Sequence, residues 1–229
     1  VDGNNGGDEV MKAKLYFIPL ALAVVCLISA FVVRFSYTDA GNQIYDYPYN
    51  ASDTLADYLK ENNVSSPQDL IREADVIVKA KYNGERQVTT DSFFSQVKVS
   101  QVYKGDKALA GKDLCVIETV TVYPKTKYMP AKGFLIPLQT GDEYILLLKQ
   151  RQFDPGRKLD ELQKSQYYPV TQGAFGYYRV SKGTQTQLMS ADRQYTLNSL
   201  KGMDLFATDQ QALNTYYQYK EQILKMIGM

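Results

Sequence analysis

The chain has 229 residues, with 26 basic and 25 acidic side chains, a formal net charge of +1, and neither histidine nor tryptophan. Without histidine there is no Ser–His or Cys–His nucleophilic pair and no His ligand for zinc. The balanced charge lacks the basic stripe that nucleic-acid binding needs, and two cysteines, Cys26 and Cys115, cannot form the disulfide framework of a small secreted fold.

In chain order, residues 1–14 are expected to form a short cytoplasmic tail, with Met11 a natural start for an export segment and Lys12 and Lys14 holding this side inside. The nineteen residues 15–33, LYFIPLALAVVCLISAFVV, carry no charge. At about 1.5 Å per residue they reach roughly 28 Å, close to the hydrocarbon thickness of a bilayer, and a helix satisfies its own backbone there. They are expected to form a transmembrane helix in contact with membrane lipid. A cleavable signal peptide would have a shorter apolar core and a better site than Thr38/Ala40. A lipid anchor at Cys26 is opposed by the bulky Val25 before it, and a buried core helix is less suited to an all-round apolar face. Residues 34–50 (RFSYTDAGNQIYDYPYN) are expected to be an irregular stalk, and residues 51–229 an extracytoplasmic domain.

Within that domain, Leu55, Tyr58 and Leu59 set a helical period over Ser52–Glu61. Ser66, Pro67 and Asp69 mark the start of a second helix carrying Leu70, Ile71 and Ala74. From Asp75 the period falls to two. DVIVKAKY (75–82) is a predicted strand closed by a tight turn at Asn83-Gly84. A second strand region covers 87–103, where the uneven Val97, Val99 and Val102 call for a bulge near Ser100-Gln101. Further strands are predicted over 114–123, 143–148, 173–180 and 184–189. The segments 124–142 and 152–169 lie between them as long polar insertions. Thr208-Asp209-Gln210-Gln211 fits a capping box for a C-terminal helix, whose Leu213, Tyr216, Tyr217, Ile223, Leu224 and Ile227 line one face. Its polar face is not rich enough in Lys and Arg for a membrane-surface helix.

Ala74-Asp75-Val76, Val102-Tyr103-Lys104-Gly105 and Gly141-Asp142-Glu143-Tyr144 follow one another in an order that resembles the netrin-like and tissue-inhibitor-of-metalloproteinase-like domains. The resemblance covers about a third of the chain. It implies an OB-like barrel, of a kind also found in exported bacterial proteins of unknown function. The inhibitors chelate a catalytic metal through an N-terminal cysteine, which this sequence lacks, so inhibition does not carry over. Independently, several short strands with one long bulged member suit a small closed barrel without exposed edges. The expected fold is therefore α+β: a transmembrane helix, then a five-to-six-stranded OB-like β-barrel flanked by short helices and a C-terminal amphipathic helix.

Catalytic motifs fail on spacing. Ser95-Gln96-Val97-Lys98 matches S-x-x-K, but positions three apart in a strand point to opposite faces, and no S-D-N or K-T-G accompanies it. Lys104-Gly105-Asp106 is explained by a strand-ending turn. Ile136 to Gly141 exceeds a sortase signal by one residue. Asn50-Ala51-Ser52 and Asn63-Val64-Ser65 fit glycosylation sequons, relevant only in a eukaryotic secretory pathway. The adjacent pairs Asp142-Glu143 and Asp160-Glu161 diverge in an extended chain rather than converging across a cleft. No calcium-loop spacing occurs.

No cofactor, metal ligand or catalytic residue is assigned. The expectation is a membrane-anchored, non-catalytic binding module, taking a protein or component of a bacterial, Gram-positive envelope, and no nucleic acid. Contact is expected on the insertions, through Tyr123, Tyr128, Phe134, Phe153, Tyr167 and Tyr168. The rival expectations are a carboxylate-based cell-wall hydrolase and a cleaved, secreted inhibitor or adhesin.

Overall fold

A computed structural model describes residues 19, 22–30, 41–51, 54–180, 188–190 and 193–229. The chain divides into two units, residues 1–41 and 42–229. In the first, residues 22–30 are helical, with Leu22, Val25, Leu27 and Ile28 each exposed by about 60%. The rest of the predicted span 15–33, apart from residue 19, lies outside the described residues, as do the predicted tail 1–14 and residues 34–40 of the predicted stalk. Among the described residues no helix is long and apolar enough to cross a membrane.

The second unit begins inside the segment expected to be a stalk. Residues 41–50 are folded: a 3-10 helix, Gly41–Asp46, leads into strand β1 (Pro48–Ala51). Ile44, Tyr47 and Tyr49 are each at most 3% exposed. These three apolar side chains in six residues supply burial enough to hold the segment down. Helix α1 (Leu55–Glu61) starts at Thr54, whose hydroxyl accepts from the Asp57 amide at 3.2 Å. Helix α2 (Pro67–Glu73) starts at Ser66, whose amide donates to Asp69 Oδ2 at 2.9 Å. The second helix starts at its expected cap, whereas the first begins at Leu55, three residues after the expected Ser52, because Thr54 caps it.

The barrel is built from β2 (Val76–Val88), β3 (Phe93–Lys104), β4 (Asp113–Glu118), β6 (Glu143–Gln150) and β7 (Gln166–Pro169). They follow the order β2-β3-β4-β7-β6, and β6 pairs back onto β2 to close the ring. The β4–β7 pair is parallel and the others are antiparallel. Closure leaves no open edge among these five, and the strand order is consistent with an OB-like barrel. A short β8 (Tyr177–Arg179) extends the sheet from β6. A separate small sheet places β1 between β5 (Met129–Ala131) and β9 (Tyr195–Thr196).

Several boundaries differ from the sequence reading. Asn83-Gly84 is not a chain reversal. β2 runs through it, and residues 83–85 form an irregularity between the pairs Tyr82–Val97 and Arg86–Ser95. Gly84, at φ +98°, serves a bulge rather than a hairpin. The reversal comes later, where the Thr89 amide donates to the Ser92 carbonyl. The expected second bulge is present: Lys79 pairs with Gln101 and Ala80 with Val99, leaving Ser100 extra. β4 ends at Glu118, five residues before the predicted limit. In the predicted strand 173–180 only Tyr177–Arg179 is extended; 3-10 turns occupy Val170–Gln172 and Ala174–Gly176. The insertion 152–169 holds helix α3 (Glu161–Lys164) and ends in the closing strand β7. The predicted strand 184–189 falls mostly outside the described residues. The C-terminal helix α4 (Gln210–Met226) is capped by Asp209, one residue after the expected Thr208, with its carboxylate accepting from the Ala212 amide at 2.7 Å.

Inward side chains of β3, from Phe93 to Val99, alternate with outward ones. By contrast Tyr144–Leu148 of β6 is buried on both faces, a continuous apolar run appropriate to a strand covered on both sides. Its outer cover is a second core, in which Tyr216 and Ile223 of α4 meet Phe175, Tyr178, Ile145 and Leu147.

Candidate ligand-binding cleft

The alternation of β3 turns Phe94 and Gln96 outward while Phe93, Ser95 and Val97 fill the barrel. Beside this outward face, the chain leaving β6 folds back. The Arg151 amide donates to the Gln166 carbonyl at 3.0 Å, and Arg151 Nη1 donates to Gln166 Oε1 at 2.9 Å. Downstream, Asp160 and Gln163 cap α3 reciprocally, at 2.7 and 3.2 Å, which holds this long connection in one shape. Between them lies a cleft of about 540 Å³, lined by the end of β2, the outer face of β3 and residues 151–166.

One aromatic ring organises the cleft's charge. The Arg151 guanidinium lies 4.9 Å from the Phe153 ring centroid and the Arg157 guanidinium 5.7 Å, both within cation–π range. None of the ion pairs among the described residues involves Arg151 or Arg157. Glu85 is the single carboxylate on the walls, with glutamines 87, 96, 163 and 166 supplying amides. At the floor, Cys115 is 1% exposed, and burial pushes its thiol up to about 11, which makes it an inert wall rather than a nucleophile.

Arg86 lines this cleft and also a second cavity, of about 550 Å³, between residues 136–142, Arg179 and residues 197–202. Its guanidinium lies 4.9 Å from the ring centroids of both Tyr82 and Phe93. It donates to Ser95 Oγ at 2.9 Å, to the Leu138 carbonyl at 2.6 Å and to Glu118 Oε1 at 3.1 Å. Burial would lower its pKa, but Glu118, Tyr82 and Tyr45 outweigh burial and hold it above its ordinary value. Glu118 also accepts from the Ser95 hydroxyl and from the Leu138 amide. In the second cavity Arg179 and Asp142 are joined through two contacts of 2.8 and 3.0 Å. Gln139 and Gly202 bond each other across the same wall. The two arginines of this cavity are each paired with a carboxylate, unlike the cations around Phe153.

The six residues expected to contact a partner do not converge. Phe153 lies in the cleft. Tyr123, half exposed, and Tyr128 stack at 6.5 Å on a separate hairpin, joined by mutual backbone bonds. Phe134 and Tyr167 are only 2% and 6% exposed, so neither can act as a contact surface: the insertions that carry them fold inward to complete the core and the barrel. Tyr168 borders a shallow groove with Lys149 and Thr171. Sequence reasoning passed over Arg151, Arg157, Phe94 and Gln96. The signal for the last two was the alternation of β3. Arg151 and Phe153, two apart in an extended chain, share a side.

The carboxylate pairs diverge: Asp142 holds Arg179, whereas Glu143 reaches Lys79 at 3.2 Å. Ser95 faces the barrel interior and Lys98 faces solvent opposite Asp113, on opposite sides as the strand period requires. No group of three or more His, Cys, Asp or Glu able to hold a metal ion occurs among the described residues. No protein-family model matches the chain, and no curated protein matches it either.

Proposed function

We propose that this chain is a membrane-anchored, non-catalytic binding module, tethered through residues 15–33 with its barrel outside the cytoplasm, and that it takes an envelope component in the cleft around Phe153. The observation that carries this reading is the position of the cleft on the barrel. Counting the closed ring in chain order, the cleft covers the outer face of the second and third strands, between the hairpin joining the first two and the connection joining the last two. OB-type barrels use this face and these two connections for extended ligands such as oligosaccharides and oligonucleotides. The near-neutral charge of the chain favours a ligand other than nucleic acid.

The test is photo-crosslinking in cells. A photoreactive residue replacing Phe153 in the full chain should give an envelope-fraction adduct, and the same residue replacing Glu221, on the exposed side of α4, should not. Recovery of the intact chain free in the cytosol, or equal adducts from both positions, would overturn the proposal.

A further inference from the structure

We infer that the ligand of this cleft is an acidic oligosaccharide, whose carboxylate or phosphate groups are held by Arg151 and Arg157 beside Phe153 while a sugar ring lies against Phe94. The inference rests on the binding reading above and names the ligand class for that site.

Charge comes first. Two guanidinium groups approach one phenyl ring, at 4.9 and 5.7 Å, with no ion-pairing carboxylate among the described residues. Bringing like charges together without a counter-charge is unfavourable, and the unfavourable term disappears when an anion bridges them. Arg86 does not compete for that anion, because the buried Glu118 neutralises it and Ser95 and Leu138 take further hydrogens of its Nε and Nη2. The second cavity makes the contrast, since its Arg179 is neutralised by Asp142. An arginine fork matches the planar oxygens of a carboxylate or phosphate and can engage either in two parallel bonds.

The remaining surface distinguishes a glycan from other anions. Side-chain amides of Gln87 and Gln96 stand on the cleft wall with no protein partner among the described residues. Amides offer both donors and acceptors, as hydroxyl-rich ligands require. The ring of Phe94, on the outer face of β3, provides an apolar platform for the C–H face of a sugar. A polynucleotide would need cations spaced along its backbone, whereas the two arginines of this cleft that lack an ion-pair partner among the described residues are gathered at a single ring. The volume of about 540 Å³ accommodates a few sugar residues.

The experiment is calorimetric titration of the full chain, in nanodiscs, with four probes: a galacturonic acid oligosaccharide, a phosphorylated mannan oligosaccharide, a neutral cellooligosaccharide of matched length, and a poly-glutamate peptide. An acidic oligosaccharide should bind at least about tenfold more tightly than the neutral one, since each charge-assisted bond is worth about that factor. Whichever acidic probe binds identifies the acid group. R151Q and R157Q should each weaken it about tenfold, R151K less so, and E85Q should tighten it. K201Q, in the other cavity, should leave it unchanged, and circular dichroism confirms that each variant is folded. Equal affinity for neutral and acidic glycans, preference for poly-glutamate, or indifference to both arginine replacements would overturn the inference. A crosslink from position 153 alongside any of these results leaves the binding reading standing; loss of that crosslink removes both.

Discussion

Arg86 and Glu118 meet 3.1 Å apart with side chains only 4% and 0% exposed, and Ser95 bonds to both. They stand at the end of the barrel where β2 is distorted around Gly84, so the irregular strand delivers a cation into a largely apolar interior. Desolvating both charges is costly, and their attraction together with the Leu138 and Ser95 bonds offsets that cost. The pair fixes residue 138 against the barrel end, and Arg86 thereby forms a wall common to the two cavities.

Removing one partner leaves the other charged and buried. R86M and E118L should each lose about 3–5 kcal/mol of stability in urea denaturation, and R86M/E118L should lose clearly less than the sum of the two. Additive losses would show that the two groups do not stabilise each other.

Tyr58 of α1 docks on two glycines. A Cβ on Gly133 would lie 2.2 Å from Tyr58 Cε2, and one on Gly173 would lie 2.4 Å from Tyr58 Oη. Gly133 also sits at φ +62°, where any other residue is strained. Tyr58 is itself fixed by Thr171 Oγ1 at 2.6 Å and by edge contact with Phe134 at 5.9 Å. G133A should therefore destabilise by about 2 kcal/mol or more, lowering Tm by several degrees, and G173A should also destabilise, because its Cβ would meet the Gly133 carbonyl at 2.8 Å as well as Tyr58. A G133A protein melting with the wild type would disprove this account of how α1 is seated.

Alkaline pH should unfold the barrel after its exposed tyrosines have ionised, because the buried phenols lose their protons only on exposure. Burial raises Tyr49, Tyr177, Tyr178 and Tyr216 well above 10.0, Tyr82 to about 12 and Cys115 to about 11. Each folded pKa exceeds its unfolded value, so the folded state holds protons that the unfolded chain releases. The associated stability is complete below about pH 9 and is lost as pH climbs from there through 11 to 12. Phenolate absorbance should rise in two stages, the second coinciding with loss of circular dichroism and with Cys115 becoming reactive to disulfide reagents. A single stage near pH 10 with the fold retained would contradict the burial.

The parts legible in the sequence were those with local causes. Ser66-Pro67 and the period of Leu55, Tyr58 and Leu59 place two helices, alternation places the start of β2 and much of β3, and the Thr140-Gly141-Asp142 turn places the start of β6. Asn83-Gly84 reads as a tight turn, but a bulge needs the same positive φ, and only the pairing of β2 with β3 on both sides of it reveals which is formed. β7 was hidden because QYYP is too short to show a period, and its partners are distant β4 and β6. The cleft escaped for the same reason: Gln96 and Phe153 come together only when the ring closes. Phe134 and Tyr123 look alike in an insertion, where no periodicity assigns an inside.

That last distinction is measurable by alanine replacement. Phe134 is buried among Tyr58 and the second core, and F134A should lose about 3–5 kcal/mol through the cavity it leaves. Tyr123 is half exposed and touches only its stacking partner among the aromatic contacts described, so Y123A should stay within about 0.5 kcal/mol of the wild type. F153A tests the third environment. Phe153 supports two guanidinium groups at the cleft rather than the core, so its loss should leave urea stability nearly unchanged while weakening binding of the acidic glycan. If F153A instead unfolds the protein as F134A does, the ring belongs to the packing and the cleft loses its organising element.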